Sequence, residues 1–247
     1  MSKDFEFKPA ADLQLSFGQR IRSVVRERSV FSLFYSITWW VGTWLIMRVY
    51  FRFSIVGQDN VPAKLPFVMV GNHSSHLDVV SLLLAVRMHA RDQMFPLAAE
   101  DHFFKRTAKA AFTAYAINAL PVSRQGGGLA AMQILRERMQ QQGCGYILFP
   151  EGTRTRTGQL ANFKSGVGIL IAGTETPVVP CFLKGAFAAF PSSAKFPRPR
   201  KVTLVIGEPV KYSHLENNKE GCTQIALDLE QRVRDLEVVI FAGEALN

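Results

Sequence analysis

Gly71-Asn72-His73-Ser74-Ser75-His76-Leu77-Asp78 separates two apolar runs of different character. Phe67-Val68-Met69-Val70 before it reads as a buried strand, and Val79-Val80-Ser81-Leu82-Leu83-Leu84 after it reads as a helix. A histidine and an acid therefore sit at a strand-to-helix turn. On one continuous helix, residues five apart point about 140° away from each other, given ~100° per residue. His73 and Asp78 can serve one site only if His73 lies in the turn and Asp78 in the first helical turn. Ser75 is then the N-cap and Asp78 the third helical position, a Ser-x-x-Asp capping pattern that brings the carboxylate back to the His73 ring.

Outward from this turn, short apolar runs at 53–57, 66–71, 95–99, 119–123, 145–149, 178–184 and 202–206 read as strands. Helical stretches fall between them near 76–88, 102–115, 127–142 and 165–172, with glycine and proline at the joints, as at Gly126-Gly127-Gly128, Gly143 and Pro150. Such alternation predicts an α/β fold, a largely parallel sheet flanked by helices, over residues 53–247. A last helix near 219–240 carries Ile225, Leu229, Val233, Leu236 and Ile240 as one stripe, which predicts packing on the core.

Residues 1–52 form a segment of another kind. The first sixteen are polar and lack a signal-peptide layout. Phe17, Ile21, Val24 and Val25 recur at helical spacing among Arg20, Arg22, Arg26 and Arg28, a basic amphipathic helix of the type that lies on anionic lipid. Ser29 to Met47 carries no charge and is rich in rings, and Arg48 and Arg52 close it. This is about 28 Å of helix, near the thickness of a bilayer's hydrocarbon. Basic residues at both ends give no clean orientation, and Trp39, Trp40 and Trp44 suit an interfacial depth. The expectation is an apolar helix, or bent helix pair, embedded in one leaflet from the cytoplasmic side. A true span and a buried core helix are the alternatives.

The net charge of +9 and pI near 9.7 favour an anionic partner: nucleic acid, anionic lipid or a phosphorylated substrate. Cys144, Cys181 and Cys222 are odd in number and widely spaced, which excludes a metal cysteine cluster or a disulfide framework and fits a reducing compartment. His73, His76 and Asp78 lack the His-Glu-x-x-His spacing of a zinc hydrolase, so no metal is expected. The triple glycine lacks the Gly-Lys-Ser ending of a phosphate loop.

Ligand groups in such sheets gather at the carboxyl ends of strands. Three loops qualify: the His73–Asp78 turn, Leu120-Pro121-Val122-Ser123-Arg124, and Phe149-Pro150-Glu151-Gly152-Thr153-Arg154. A histidine backed by an acid suits general-base work, and no Gly-x-Ser-x-Gly nucleophile accompanies it. The base would then activate a hydroxyl of the substrate itself. Arg124 and Arg154, with Lys164 nearby, suit a phosphate, helped by main-chain N–H groups at Gly152 and near Gly166. Backbone N–H groups near the His73 turn are the expected oxyanion donors.

Asn-His-x-x-x-x-Asp, an arginine after a strand, Phe-Pro-Glu-Gly-Thr-Arg and then the Val179-Pro180 strand together resemble the glycerolipid acyltransferase family over roughly residues 52–210. The resemblance implies a glycerol-3-phosphate acyltransferase-like fold with His73 and Asp78 as catalytic dyad. It implies that Arg124, Glu151, Gly152, Thr153 and Arg154 bind the acceptor phosphate, and it matches Pro180 to a fourth block of less defined role. Ser123 stands where many members carry an acid. The implied reaction moves a fatty acyl group from a thioester to the 2-hydroxyl of a lysophosphatidic acid at a membrane, giving phosphatidic acid. Acyl-CoA or acyl carrier protein would bring the acyl group as co-substrate, with no cofactor, at the cytoplasmic face of the inner membrane.

Another lysolipid, such as a lyso-ornithine lipid or lysophospholipid, or glycerol-3-phosphate, is an alternative acceptor. The non-enzymatic alternative is a basic module for membranes or nucleic acid. Aromatic residues do not interleave with basic ones on a sheet face, so no nucleic acid partner is expected.

Overall fold

The structure, a computed structural model, describes residues 30–99, 117–122 and 128–245. A seven-stranded sheet runs through it in the order β1-β7-β6-β2-β5-β3-β4. The strands are β1 (Ser54–Val56), β2 (Val68–Gly71), β3 (Met94–Ala99), β4 (Leu120–Val122), β5 (Gly145–Leu148), β6 (Val178–Lys184) and β7 (Thr203–Ile206). Every neighbouring pair is parallel except β6 with β7. The seven runs expected from sequence are these strands, within two residues at each end.

Alternation along the central strands builds a core on each face of the sheet. Val68 and Val70 of β2, Tyr146 and Leu148 of β5, and Phe182 of β6 point to one side, where helices α4 (Gly128–Gln142), α5 (Gly166–Ile171) and α7 (Lys219–Ala245) cover them with Leu135, Leu170, Leu229 and Val233. Met69, Ile147, Val179 and Leu183 point to the other side, toward Leu82 and Leu83 of α2 (Asp78–Ala85). Two further short helices are α3 (Met88–Arg91) and α6 (Ala186–Ala189). The continuous run expected near 76–88 is divided: Val86 is extended and α3 begins afresh. The expected helices at residues 17–28 and 102–115 lie outside the described residues.

Helix α1 (Val30–Val49) is the apolar N-terminal segment. It is no loose attachment, because Trp40 and Met47 are buried in the same core as α2 and the sheet. The Arg91 guanidinium lies 5.0 Å from the Trp40 ring centre, and Arg48 donates to the Phe53 carbonyl. The opposite side of α1 presents Phe34, Ile37, Val41, Trp44, Leu45 and Val49 to the exterior. Among the described residues, no helix is long and apolar enough to cross a membrane, so the spanning alternative finds no support in α1.

The parallel register fixes where the loops emerge. Val70 pairs with Leu148, and His73 and Glu151 each lie three residues beyond that pair. Strand β6, also parallel to β2, ends at the same edge. Where the β2 backbone leaves the sheet, the buried Asn72 side chain continues the ladder. Its amide donates to the Leu183 carbonyl at 3.2 Å, and its oxygen accepts from Leu183 N–H at 2.7 Å. Replacing Asn72 with Ala removes both partners from buried backbone groups. A loss of about 2–4 kcal/mol is expected, read by urea denaturation.

Candidate active site

The His73–Asp78 turn closes on one oxygen atom. Asp78 is fully buried, and its Oδ2 accepts from Ser74 N–H at 2.6 Å, from Ser75 N–H at 2.7 Å and from His73 Nδ1 at 2.9 Å. Ser75 Oγ in turn accepts from Leu77 N–H and donates to the Phe190 carbonyl. Half of the capping pattern read from Ser75 and Asp78 is present: Asp78 takes Ser75 N–H, but Ser75 Oγ takes Leu77 N–H and not Asp78 N–H, and the helix starts at Asp78 with Leu77, not Ser75, as its N-cap. A carboxylate can only accept, so Nδ1 carries the hydrogen and Nε2 holds the lone pair. The His73 ring stacks on Phe149 at 4.1 Å between centres and 16° between planes, which fixes its second degree of freedom.

Glu151 ties the facing loop to this turn. Its Oε1 accepts from His73 N–H at 2.6 Å and its Oε2 from Ala161 N–H at 3.0 Å, while Thr155 N–H donates to the His73 carbonyl. Both oxygens face backbone donors in a buried position, so this carboxylate holds the loop together and does not face outward toward an acceptor phosphate. Burial and the nearby Asp78 charge push its carboxyl up to about 7, against the two N–H donors that pull it down.

The other expected residues fall as follows. Gly152 has φ of +77°, and a Cβ there would meet the Lys164 ammonium at 2.7 Å, so the glycine lets that cation lie against the loop. Thr153 is exposed. The Arg154 Nη1 lies 2.7 Å from Nδ1 and 3.1 Å from Nε2 of His76. Burial and then the Arg154 charge lower the His76 pKa, while the Ser192 carbonyl bonded to its ring raises it. His76 thus links the arginine loop to the chain after β6. Pro180 sits buried in mid-β6 opposite Val70 and offers the site no polar side chain. Arg124 lies outside the described residues; β4, which ends two residues before it, runs parallel to β3.

The N–H groups of His73, Ser74, Ser75, His76 and Leu77 all have acceptors within the protein, so these five are not the oxyanion donors expected near the turn. Four contacts were not foreseen: the Phe149 stack, the Glu151 tie, the Asn72 clamp and the His76–Arg154 pair. Asn72, Phe149, Glu151 and Arg154 carried a signal, as members of the quoted blocks; the pairing of each with its partner did not.

A family model described as Acyltransferase matches residues 52–184. The 1-acyl-sn-glycerol-3-phosphate acyltransferase of Bacillus subtilis (strain 168) is 28% identical over 192 residues, which cover 74% of this chain and 87% of that protein. The 1-acyl-sn-glycerol-3-phosphate acyltransferase alpha of Mus musculus is 26% identical over 129 residues, 52% of this chain and 44% of that protein. Among solved structures, the 1-acyl-sn-glycerophosphate acyltransferase of Thermotoga maritima is similar in fold. Its TM-score is 0.61 at 23% identity, covering 85% of this chain and 87% of that one.

The Glu151 tie has a pH signature. Because its carboxyl is raised from 4.5 to about 7 in the fold, the neutral form is favoured on folding. Its stabilising contribution is full below pH 4.5 and is lost as pH rises through 7, by at most about 3 kcal/mol. Glu151→Gln should abolish that slope in denaturation curves taken across the same window. It should also lower stability at acid pH, since the amide can orient an acceptor to only one of the two N–H groups.

Proposed function

The chain belongs to the acyltransferase family, and from that premise we propose that it transfers a fatty acyl group from a thioester to the 2-hydroxyl of 1-acylglycerol-3-phosphate. The product is phosphatidic acid. The relatives named 1-acyl-sn-glycerol-3-phosphate acyltransferase support this acceptor. The observation that carries the chemistry is the His73 ring, held at Nδ1 by Asp78 with Nε2 left as the base.

His73 Nε2 takes the proton of the acceptor hydroxyl as the oxygen attacks the thioester carbonyl. The C–O bond forms, the tetrahedral intermediate collapses, the C–S bond breaks and the imidazolium returns its proton to the departing thiolate. Asp78 fixes the tautomer and stabilises the imidazolium. The oxyanion takes its donors from N–H groups other than those of His73 to Leu77, which are engaged. The cationic loop of Arg154 and Lys164, with Arg124, holds the acceptor phosphate, as guanidinium forks do.

The acceptor and product are membrane lipids. The exterior face of α1 is apolar from Phe34 to Val49, and it suits burial in one leaflet at the cytoplasmic face. The acyl-CoA or acyl carrier protein thioester arrives from the aqueous side.

Two measurements test this reading. His73→Ala should lower turnover about 10²- to 10⁴-fold and leave the denaturation midpoint nearly unchanged. A folded variant with near-normal turnover would remove His73 from the mechanism. Arg154→Ala should raise KM for lysophosphatidic acid and leave transfer to a phosphate-free lysolipid unaffected. Equal effects on both acceptors would take Arg154 away from the phosphate.

A further inference from the structure

The chain between β6 and β7 does something that a plain connection does not require. After α6 it forms a loop, residues 190–197, closed at its base by Arg198 N–H donating to the Ala189 carbonyl at 2.8 Å. One end of the loop rests on the catalytic turn, where Ser75 Oγ and His76 N–H both donate to the Phe190 carbonyl. The other end rests on the close of α1, where the Tyr50 hydroxyl donates to the Pro197 carbonyl at 3.0 Å. Pro191 and Pro197 stiffen it, and Pro199 follows its base. Between these fixed ends, Phe196 is 80% exposed, the most exposed large apolar side chain among the described residues.

The charge around that ring is of one sign. Lys195, Arg198, Arg200 and Lys201 are exposed, and the sequence from Lys184 to Gly207 contains no aspartate or glutamate. From Val30 to Gln58 the chain contains no acid either, and Arg48 and Arg52 are exposed near the close of α1. A bare aromatic ring among cations, joined to the end of an exposed apolar helix face, has the chemistry of a surface that enters anionic lipid.

We propose that residues 190–201 form a second membrane contact, in which Phe196 enters the acyl boundary of an anionic bilayer and Lys195, Arg198, Arg200 and Lys201 bind its phosphate headgroups. The proposal rests on the membrane reading of α1. The Tyr50–Pro197 bond holds the loop to the helix, so both enter one surface. The Phe190 contacts set the His73 turn against the inner end of the loop.

The test uses single thiol labels on the full chain. Cys144, Cys181 and Cys222 are all buried, so an environment-sensitive fluorophore can be directed to Phe196→Cys or, separately, to Val41→Cys on the exposed face of α1. Each protein is mixed with vesicles of phosphatidylglycerol and phosphatidylcholine, or of phosphatidylcholine alone. Both labels should shift to the blue and brighten on anionic vesicles, and the label at 196 should respond less on neutral ones. In unlabelled protein, Phe196→Ala should weaken vesicle partitioning about tenfold. Each cation replaced by Gln should weaken it about fivefold at low salt.

A label at 41 that enters lipid while the label at 196 stays in water would overturn the loop proposal and leave the reading of α1 standing. Two labels that both stay in water would overturn both. A label at 196 that ignores vesicles and responds to an acidic acyl carrier protein would also overturn the proposal and give the loop to the acyl donor.

Discussion

The site depends on one oxygen atom. Asp78 Oδ2 takes three donors, two from the main chain of Ser74 and Ser75 and one from His73. The main-chain bonds hold the carboxylate whether or not the ring is charged, so the acid cannot swing away while the imidazole changes state. Asp78 Oδ1 is buried and has no hydrogen-bond partner among the described residues. That asymmetry concentrates the donors on the oxygen that faces His73. The same contacts close the first turn of α2, which seats Leu82 and Leu83 against Met69. Catalytic geometry and helix start therefore share one carboxylate oxygen, held by the main chain on one side and by the ring on the other.

Two acids lie beneath a cationic surface, and they do different work. Asp78 is spent on the ring and the turn. Glu151 is spent on the backbone, joining the loop after β5 to the turn after β2 through His73 N–H. An outward carboxylate beside Arg154 and Lys164 would repel a phosphate and neutralise the arginine. Burying Glu151 and engaging both its oxygens removes that conflict while keeping the loop in place. The engaged N–H groups of the His73 turn follow from the same economy of space: the backbone donors that fix the acids are no longer available to an oxyanion.

The strands were legible because a sheet buried on both faces leaves continuous apolar runs, as in Val68 to Val70 and Val178 to Phe182. The Ser75–Asp78 contact was legible because it is local, but the helix start was not: the helix begins at Asp78 with Leu77, not Ser75, as its N-cap. The antiparallel entry of β7 was not, since strand direction is set by how the chain returns from β6 and leaves no mark on Thr203 to Ile206. Long-range side-chain pairing was equally silent. His76 and Arg154 are 78 residues apart, and Asn72 and Leu183 are 111 apart. No periodicity joins such positions; only the register of β2 with β5 and β6 does.

The role of α1 was half legible for a related reason. Its uncharged, ring-rich sequence is compatible with lipid on all sides or with a core on all sides, and composition alone does not separate the two. The fold divides it by face. Trp40 and Met47 turn inward under Arg91 and α2, and Phe34, Val41, Leu45 and Val49 turn outward. An apolar helix with one face committed to the protein core cannot also be surrounded by lipid. Its free face can at most lie along a membrane. The chain that leaves Phe190 at the catalytic turn meets Tyr50 at the end of that same helix, so the loop after β6 ties the His73 turn to the helix whose free face is apolar.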